Sequence, residues 1–294
     1  MKAALLPDRG VVKVAGQPAR GLLNGLVTAN IATMSPGAPR YGALLTPQGK
    51  IIADFLVVQA PEEDGGDFFL DCPRALAPVL AEKLNFYKLR AKVMIEDLSE
   101  TLGVLAAWDG SGTTDQGLVY PDPRLPALGC RVMLPPHLAD TAAAELGAKL
   151  VDTAEYEAHR IALGVPRGGL DFIYGEAFPH EADLDQLNGV DFKKGCYVGQ
   201  EVVSRVEHRG SARSRVVPVA FDDFAAEPGS AVMAGDKQVG SMGSSSGRNG
   251  LAMLRLDRVQ DALAAGQILT AGGIPLRLRE SAFAQVAAKA QAAS

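Results

Sequence analysis

Over residues 10–110, short runs of β-branched, aromatic and aliphatic residues bounded by Gly, Pro or Asp alternate with stretches whose apolar positions recur every three to four residues. The runs Val11–Val14, Tyr41–Leu45, Ile51–Val58, Phe68–Leu70, Lys92–Ile95 and Leu102–Ala107 predict strands. Ala19–Val27 and Arg74–Leu89 carry the spacing of helices packed on a sheet. Pro73 suits the opening of the second helix, and Pro78 delays its start. Gly110 to Thr114 is a loop signal, and prolines punctuate the stretch from 121 to 136. Leu138–Leu150 and Thr153–Leu163 predict two further helices, the second with Asp152 or Thr153 as cap. Beyond Arg215 the texture changes. Val216–Phe221, Ala231–Val232, Lys237–Ser241, Leu251–Leu256 and Pro275–Leu278 are short runs parted by Gly-, Ser- and Asp-rich turns, which predict a small β-barrel. The alanine-rich tail, 282–294, predicts a helix or a frayed end. The fold class is α+β: one α+β region over 1–212, in one or two subdomains, and a C-terminal β-barrel over 213–294.

A chain of 294 residues has room for two or three compact units. With 47% hydrophobic and 21% charged residues it has the composition of an ordinary globular protein. No apolar run approaches the roughly 18–20 residues of a membrane span, so no membrane partner is expected. Met1 to Leu6 is shorter than a secretory apolar segment of about 7–15 residues. The expected location is cytoplasmic, most simply in a bacterium. Cys72, Cys130 and Cys196 are odd in number and widely spaced, which argues against a disulfide framework, a self-contained zinc site or a complete four-cysteine cluster. His137, His159, His180 and His208 show no metal-ligand spacing, and phosphate-loop, dinucleotide and nucleophile-elbow motifs are absent.

A net charge of −5 argues against a dedicated nucleic-acid binder. Lys193 to Arg215 reverses the sign, with six Lys or Arg against two carboxylates, a net of +4. That segment suits a polyanion such as a polyglutamyl tail or tRNA phosphates, or is a solvated helix face.

The densest chemistry is Lys193-Lys194-Gly195-Cys196-Tyr197-Val198-Gly199-Gln200-Glu201, with apolar Val202, Val203 and Val206 immediately after it: a loop feeding a helix. Gly195 and Gly199 would let the chain turn sharply. Cys196, ahead of a helix N-terminus and beside two lysines, would have its thiol pKa lowered. The plain alternative is a small packed cysteine beside solvated lysines.

The string resembles the signature of the YgfZ-type folate-binding proteins, relatives of the T-protein (aminomethyltransferase) of glycine cleavage. The likeness extends through Gly21 to Asn30, Leu44 to Lys50, Asp122-Pro123-Arg124, Gly164-Val165-Pro166, Phe178-Pro179-His180-Glu181, and Arg205 to Gly210. The resemblance implies T-protein-like folate-binding domains and tetrahydrofolate or a derivative as ligand. Glu181 matches the carboxylate that holds the pterin edge, with Phe178 and Tyr197 lining the slot. Gln200 and Glu201 would fix the loop or bind folate, and Arg160 or Arg167 would meet folate carboxylates; surface or core roles are the alternatives. Where the T-protein holds an acidic pair, this chain has Ala53-Asp54, and Asn30 stands where aspartate is frequent. The T-protein also lacks the loop cysteine. Losing a positioned acid typically costs about 100- to 10,000-fold in rate. Aminomethyl transfer is therefore not expected.

The resemblance thus implies a folate-binding protein supporting iron-sulfur cluster assembly or repair and cluster-dependent tRNA modification. Its partners would be iron-sulfur assembly proteins or client enzymes. Cys196 would meet iron, a transient cluster or a persulfide, with Lys193 or Lys194 lowering its pKa. A folate-dependent one-carbon transferase using Asp54 and an RNA-binding accessory protein are the competing readings.

Overall fold

The computed structural model describes residues 1–209 and 212–279. They form two compact units: 1–156 with 187–204, and 157–186 with the chain from 205 onward.

The first unit contains two five-stranded sheets. One runs Arg40–Leu45, Ile51–Gln59, Phe68–Pro73, Arg9–Ala15, Met94–Asp97, with every neighbouring pair antiparallel. The helices Ala19–Leu26 and Ala77–Tyr87 bury Leu23, Leu80 and Leu84 against Val12, Val14, Phe55, Val57 and Leu70. The expected 74–89 helix opens as a single 3-10 turn, Arg74–Leu76. Pro78 then sits in the first turn of the α-helix, where its missing N–H costs nothing.

The other sheet runs Lys149–Leu150, Lys2–Leu6, Gly103–Trp108, Cys130–Leu134, Leu118–Pro121. Ala139, Ala142 and Ala143 of the Ala139–Glu145 helix pack on it. That helix is shorter than the expected 138–150 span. Gly147 adopts φ +67, which ends the helix, and Lys149–Leu150 then pairs in parallel with Lys2 and Ala3. The edge of the sheet gives those residues backbone partners that sequence spacing does not reveal.

Ions fill part of the interior of this unit. Asp71 accepts from Arg9 Nε (2.6 Å) and Arg131 Nη1 (2.6 Å), while Asp122 accepts from Arg131 Nε (3.1 Å) and Arg124 Nη2 (2.7 Å). Tyr120 and Tyr156 complete the set through Asp71 and Arg131. Each of these buried charges has a partner, as burial requires. Asp122-Pro123-Arg124, a family-like motif in the sequence, is thus a local chelate of one arginine that also holds a second.

The second unit is built on a closed barrel, Ser214–Phe221, Asn249–Arg255, Lys237–Ser246, Ala231–Ala234, Leu269–Ala271, Ile274–Leu278, filled by Val219, Phe221, Val232, Met242 and Leu254. The Leu256–Ala264 helix and the Leu269–Ala271 strand carry no signal that the sequence reading detects. The predicted tail at 282–294 lies outside the described residues. Segment 157–186 belongs with the barrel rather than with the α+β region assigned to 1–212. Asp171 Oδ1 accepts from Ser244 N (2.7 Å) and Oγ (2.6 Å), Arg215 clamps Asp183 and Asp185, and Val216 N–H donates to Glu181 O. These polar contacts, invisible in linear order, join 157–186 to the barrel.

Candidate functional site

In the first unit the loop 189–199 lies on the turn that follows the Ala19–Leu26 helix. Thr28 starts the connection: its hydroxyl donates to Gly189 O (2.6 Å) and accepts from Ala43 N (2.8 Å), while Asp191 N donates to Thr28 O (3.0 Å). Asp191 Oδ1 then accepts the N–H groups of Lys193 (2.8 Å) and Lys194 (3.0 Å), folding an Asx-turn ahead of Gly195. Burial pushes the Asp191 carboxyl up, but these N–H groups, the Asn30 carboxamide and Lys194 hold it below the ordinary carboxylate range.

Lys194 is 7% exposed, and its Nζ donates to Asn24 O (2.7 Å), Val27 O (2.6 Å) and Ala29 O (2.6 Å). These are carbonyls at and beyond the helix C-terminus, which has no cation of its own in its last turn. Lys194 therefore caps that helix from 170 residues away in sequence. An ammonium suits a helix end rich in orphan carbonyls and negative dipole. Burial lowers its pKa to about 8, opposed by Asp191, so the ammonium persists at neutral pH. This corrects its expected role. All three N–H groups are committed to carbonyls, leaving none to stabilise a thiolate at Cys196. The Tyr197 ring packs 5.2 Å from the same Nζ, and burial raises its hydroxyl to about 12.

Gly199 closes the loop at φ +81, where an added Cβ would lie 2.6 Å from Thr46 O and 3.1 Å from Gly49 Cα. A side chain there is excluded by both conformation and space. Gly195 is different: a Cβ would meet nothing within 4 Å, so no turn requires a glycine there. The Gln200–Arg209 helix then begins with half-buried Gln200 and exposed Glu201. Cys196 stands exposed four residues before it, between the anchors at 194 and 199. Cys72, by contrast, is buried, which pushes its thiol up to about 12. Burial also raises half-buried Cys130.

Asp54 is buried on the Ile51–Gln59 strand and accepts from Tyr41 Oη at 2.9 Å; Ala53 beside it is fully buried. Asn30 turns its amide toward Asp191, which leaves its buried Oδ1 without a hydrogen-bond partner. Asp191, Asn24 and Thr28 join the site although the sequence reading does not single them out. The signal available in sequence is an aspartate two and three residues before the paired lysines, the spacing of an Asx-turn.

In the second unit Glu181 Oε2 accepts from Phe178 N (2.9 Å) and Glu181 N donates to Phe178 O (3.0 Å), so this carboxylate first of all closes a turn, with Phe178 half-buried. Arg160 does not serve a folate carboxylate. It is 3% exposed, and its guanidinium is spent on Glu157 Oε2 (3.0 and 2.6 Å), Val165 O (3.1 Å) and Asp171 Oδ2 (2.9 Å). Arg167 pairs with Glu157 at 3.0 Å. The net +4 segment is likewise reduced as a polyanion surface, because Lys194 and Arg215 are both buried in structural roles.

The histidines, scattered in sequence, include one that the fold gathers: His180, Asp185 and Glu207 bring ligand atoms within 4.8 Å of one another. Both Asp185 oxygens are held by Arg215 at 2.8 and 2.9 Å, which makes the group an ion-pair cluster. Among the described residues, Cys196 joins no set of three potential ligands.

These features define a class: an aminomethyltransferase-like α+β fold with a C-terminal six-stranded barrel, here with an exposed loop cysteine. Glycine cleavage aminomethyltransferase T from Bartonella henselae superposes with a TM-score of 0.76 over 97% of this chain and 86% of its own, at 15% identity, a likeness of fold alone. The CAF17 C-terminal beta-barrel domain family matches residues 213–285. The human mitochondrial iron-sulfur cluster assembly factor IBA57 is 31% identical over 96% of this chain and 82% of its own length. The Mycosarcoma maydis IBA57 homolog is 38% identical over 75% of this chain and 57% of its own. The chain belongs to the IBA57 family of iron-sulfur cluster assembly factors. It spans 52–59% of the length of the fungal relatives from Mycosarcoma to Chaetomium. The location expected from sequence is overturned: the human, mouse and fungal relatives are named as mitochondrial, which points to the mitochondrion rather than the cytoplasm.

Proposed function

We propose that Cys196 is the group through which this chain handles iron-sulfur cargo. The carrying observation is the contrast within one loop: Asp191, Lys194, Tyr197 and Gly199 are fixed by hydrogen bonds, packing or steric closure, while the thiol between them faces solvent. A cysteine serving only to pack is buried, as Cys72 is. Cys196 loses its proton to solvent, and the thiolate donates a sulfur lone pair to an iron of the cargo, replacing one ligand there without electron transfer. The remaining ligands come from the protein that delivers or receives the cluster, since no three-ligand set among the described residues includes this thiol. The open space above Gly195 lets a partner approach closely.

Tetrahydrofolate or a derivative is proposed as ligand, in keeping with the finer YgfZ-type resemblance. Glu181 has a second oxygen beyond the one closing its turn. When bound, folate supplies a one-carbon carrier; that oxygen of Glu181 offers an acceptor to a ligand N–H. No transfer step is assigned, because Ala53 stands where the other acid of the pair would be and Tyr41 already engages Asp54. Cluster-dependent enzymes, including those that modify tRNA, are the proposed clients.

The test compares wild type with Cys196→Ala in cells lacking the native gene. A four-iron enzyme activity and the level of a cluster-dependent tRNA modification are measured, with folate binding and melting temperature of the purified proteins. Loss of both cellular readouts with fold and folate binding intact supports the proposal. Full rescue by Cys196→Ala makes the cysteine a bystander and returns attention to a one-carbon reaction at Asp54.

A further inference from the structure

The turn Thr46-Pro47-Gln48-Gly49-Lys50 joins the strands Arg40–Leu45 and Ile51–Gln59 and lies against the end of the cysteine loop. Thr46 closes it in three ways. Its N–H donates to Lys50 O (2.8 Å), its carbonyl accepts from Gly49 N (2.8 Å) and its hydroxyl accepts from Lys50 N (3.1 Å). Gly49 is buried at φ +81, where a Cβ would stand 3.0 Å from Val202 Cβ, 3.3 Å from Val202 Cγ1 and 3.5 Å from Gly199 O. Gly199 meets Thr46 O and Gly49 Cα from the other side. Two backbones thus touch without a side chain between them, and the Gln200–Arg209 helix starts on that contact.

Both ends of the cysteine loop rest on this one hairpin. Upstream, Thr28 holds Gly189 and Asp191 and is itself bonded to Ala43 in both directions, while Val27 bridges to Leu44. Downstream, Gly199 O accepts from Val203 N (3.5 Å), and Gln200 N reaches back to the carbonyl of Tyr197 (3.3 Å), the residue after Cys196. Between the two supports the hairpin carries a β-bulge: Leu44 pairs with Ala53 but Leu45 with Ile51, which makes Ile52 the extra residue. A bulge adds twist and re-aims whatever lies beyond it. The span open to the loop is therefore set by backbone geometry at 43–49.

We infer that Gly49 is a positioning residue for Cys196: its bare backbone lets the helix after the loop seat on the Thr46–Lys50 turn, and that seat fixes where the thiol is presented. Carbon atoms rest about 3.5–4.0 Å apart, so a Cβ held 3.0 Å from Val202 Cβ drives the helix start back by roughly 0.5–1 Å. Functional groups tolerate only about 0.5 Å of displacement. The purpose of this placement rests on the cargo role proposed for Cys196, while the placement itself is measured without cargo.

The experiment follows, by mass spectrometry, the rate at which iodoacetamide alkylates Cys196 in the folded full chain, with melting temperature and rescue of a four-iron enzyme in cells lacking the native gene. Gly49→Ala should change the alkylation rate at least about threefold and lower rescue by a similar factor. Gly147→Ala is the control. At φ +67 it carries the same left-handed strain with nothing within 4 Å of the new Cβ, so the melting temperature should fall while alkylation and rescue stay at wild type. Gly49→Ala with Val202→Gly removes the atoms at 3.0 and 3.3 Å, and alkylation should return to within about twofold of wild type even though a helical glycine lowers the melting temperature further. Should Gly49→Ala not fold, Val202→Phe crowds the same contact from the helix side and should give the same change in rate. A rate within about twofold of wild type in the crowded variant, an equal change in Gly147→Ala, or no recovery in the double variant would each overturn the inference. So would full rescue by Gly49→Ala where Cys196→Ala fails. Full rescue by Cys196→Ala instead removes the cargo role and leaves the alkylation rates to decide the placement.

Discussion

Replacing Lys194 by methionine keeps the apolar stem and removes the ammonium that caps the Ala19–Leu26 helix. Three carbonyls, of Asn24, Val27 and Ala29, lose donors at 2.7, 2.6 and 2.6 Å. A buried acceptor left unsatisfied costs about 1–3 kcal/mol. Water entry relieves part of that sum, and the desolvation that lowers the Lys194 pKa to about 8 is recovered on substitution. A net loss of about 3 kcal/mol follows, at the low end for breaking a buried charged contact. In a protein of this size that lowers the melting temperature by roughly 6–12 °C. Chemical denaturation at pH 7 measures the loss, and amide hydrogen exchange over 24–32 and 189–199 locates it. Faster exchange confined to those two stretches marks the cap. A loss below about 0.5 kcal/mol with unchanged exchange would refute the view that this lysine holds the loop together.

Gly199→Ala forces a Cβ to within 2.6 Å of Thr46 O at φ +81, so a loss of at least about 2 kcal/mol is expected in urea unfolding, whereas Gly195→Ala should be neutral within about 0.5 kcal/mol. Asn30→Asp sets a second carboxylate against Asp191, replacing a hydrogen bond by repulsion; the melting temperature should fall at pH 7 and recover toward wild type below about pH 4. Asp122 titrates at about 2 instead of 3.8, because burial, which raises it, is outweighed by Arg124 and Arg131. The unfolded chain therefore takes up this proton first as pH falls. About 2–3 kcal/mol is fully present above about pH 4 and disappears toward pH 2, and Asp122→Asn should flatten that part of the stability profile.

Alternation and turn residues make most strands of the first sheet legible, because each carries an apolar face bounded by Gly, Pro or Asp. Lys2–Leu6, Leu118–Pro121 and Cys130–Leu134 are not legible, since four or five residues show no decisive period and become strands by pairing in one sheet. The loop at 193–201 stands out by composition, and its cysteine is exposed. Lys194 and Arg160 depart from their expected roles for one physical reason. A cation in sequence carries no mark of burial, and burial with carbonyls or carboxylates turns it from a ligand-binding group into a fastener.

By itself the sequence determined the local alphabet of this protein: where the chain turns, which faces are apolar, where the barrel texture begins near 213, and that a cysteine lies among glycines and lysines. Those properties depend on neighbours a few residues apart. Only the tertiary structure decided that Lys194 closes a helix laid down at residues 19–26 and that 157–186 joins the barrel through Asp171 and Arg215. Each of these results from satisfying buried polar groups or excluding water across long separations, and such balances exist only once the chain is folded.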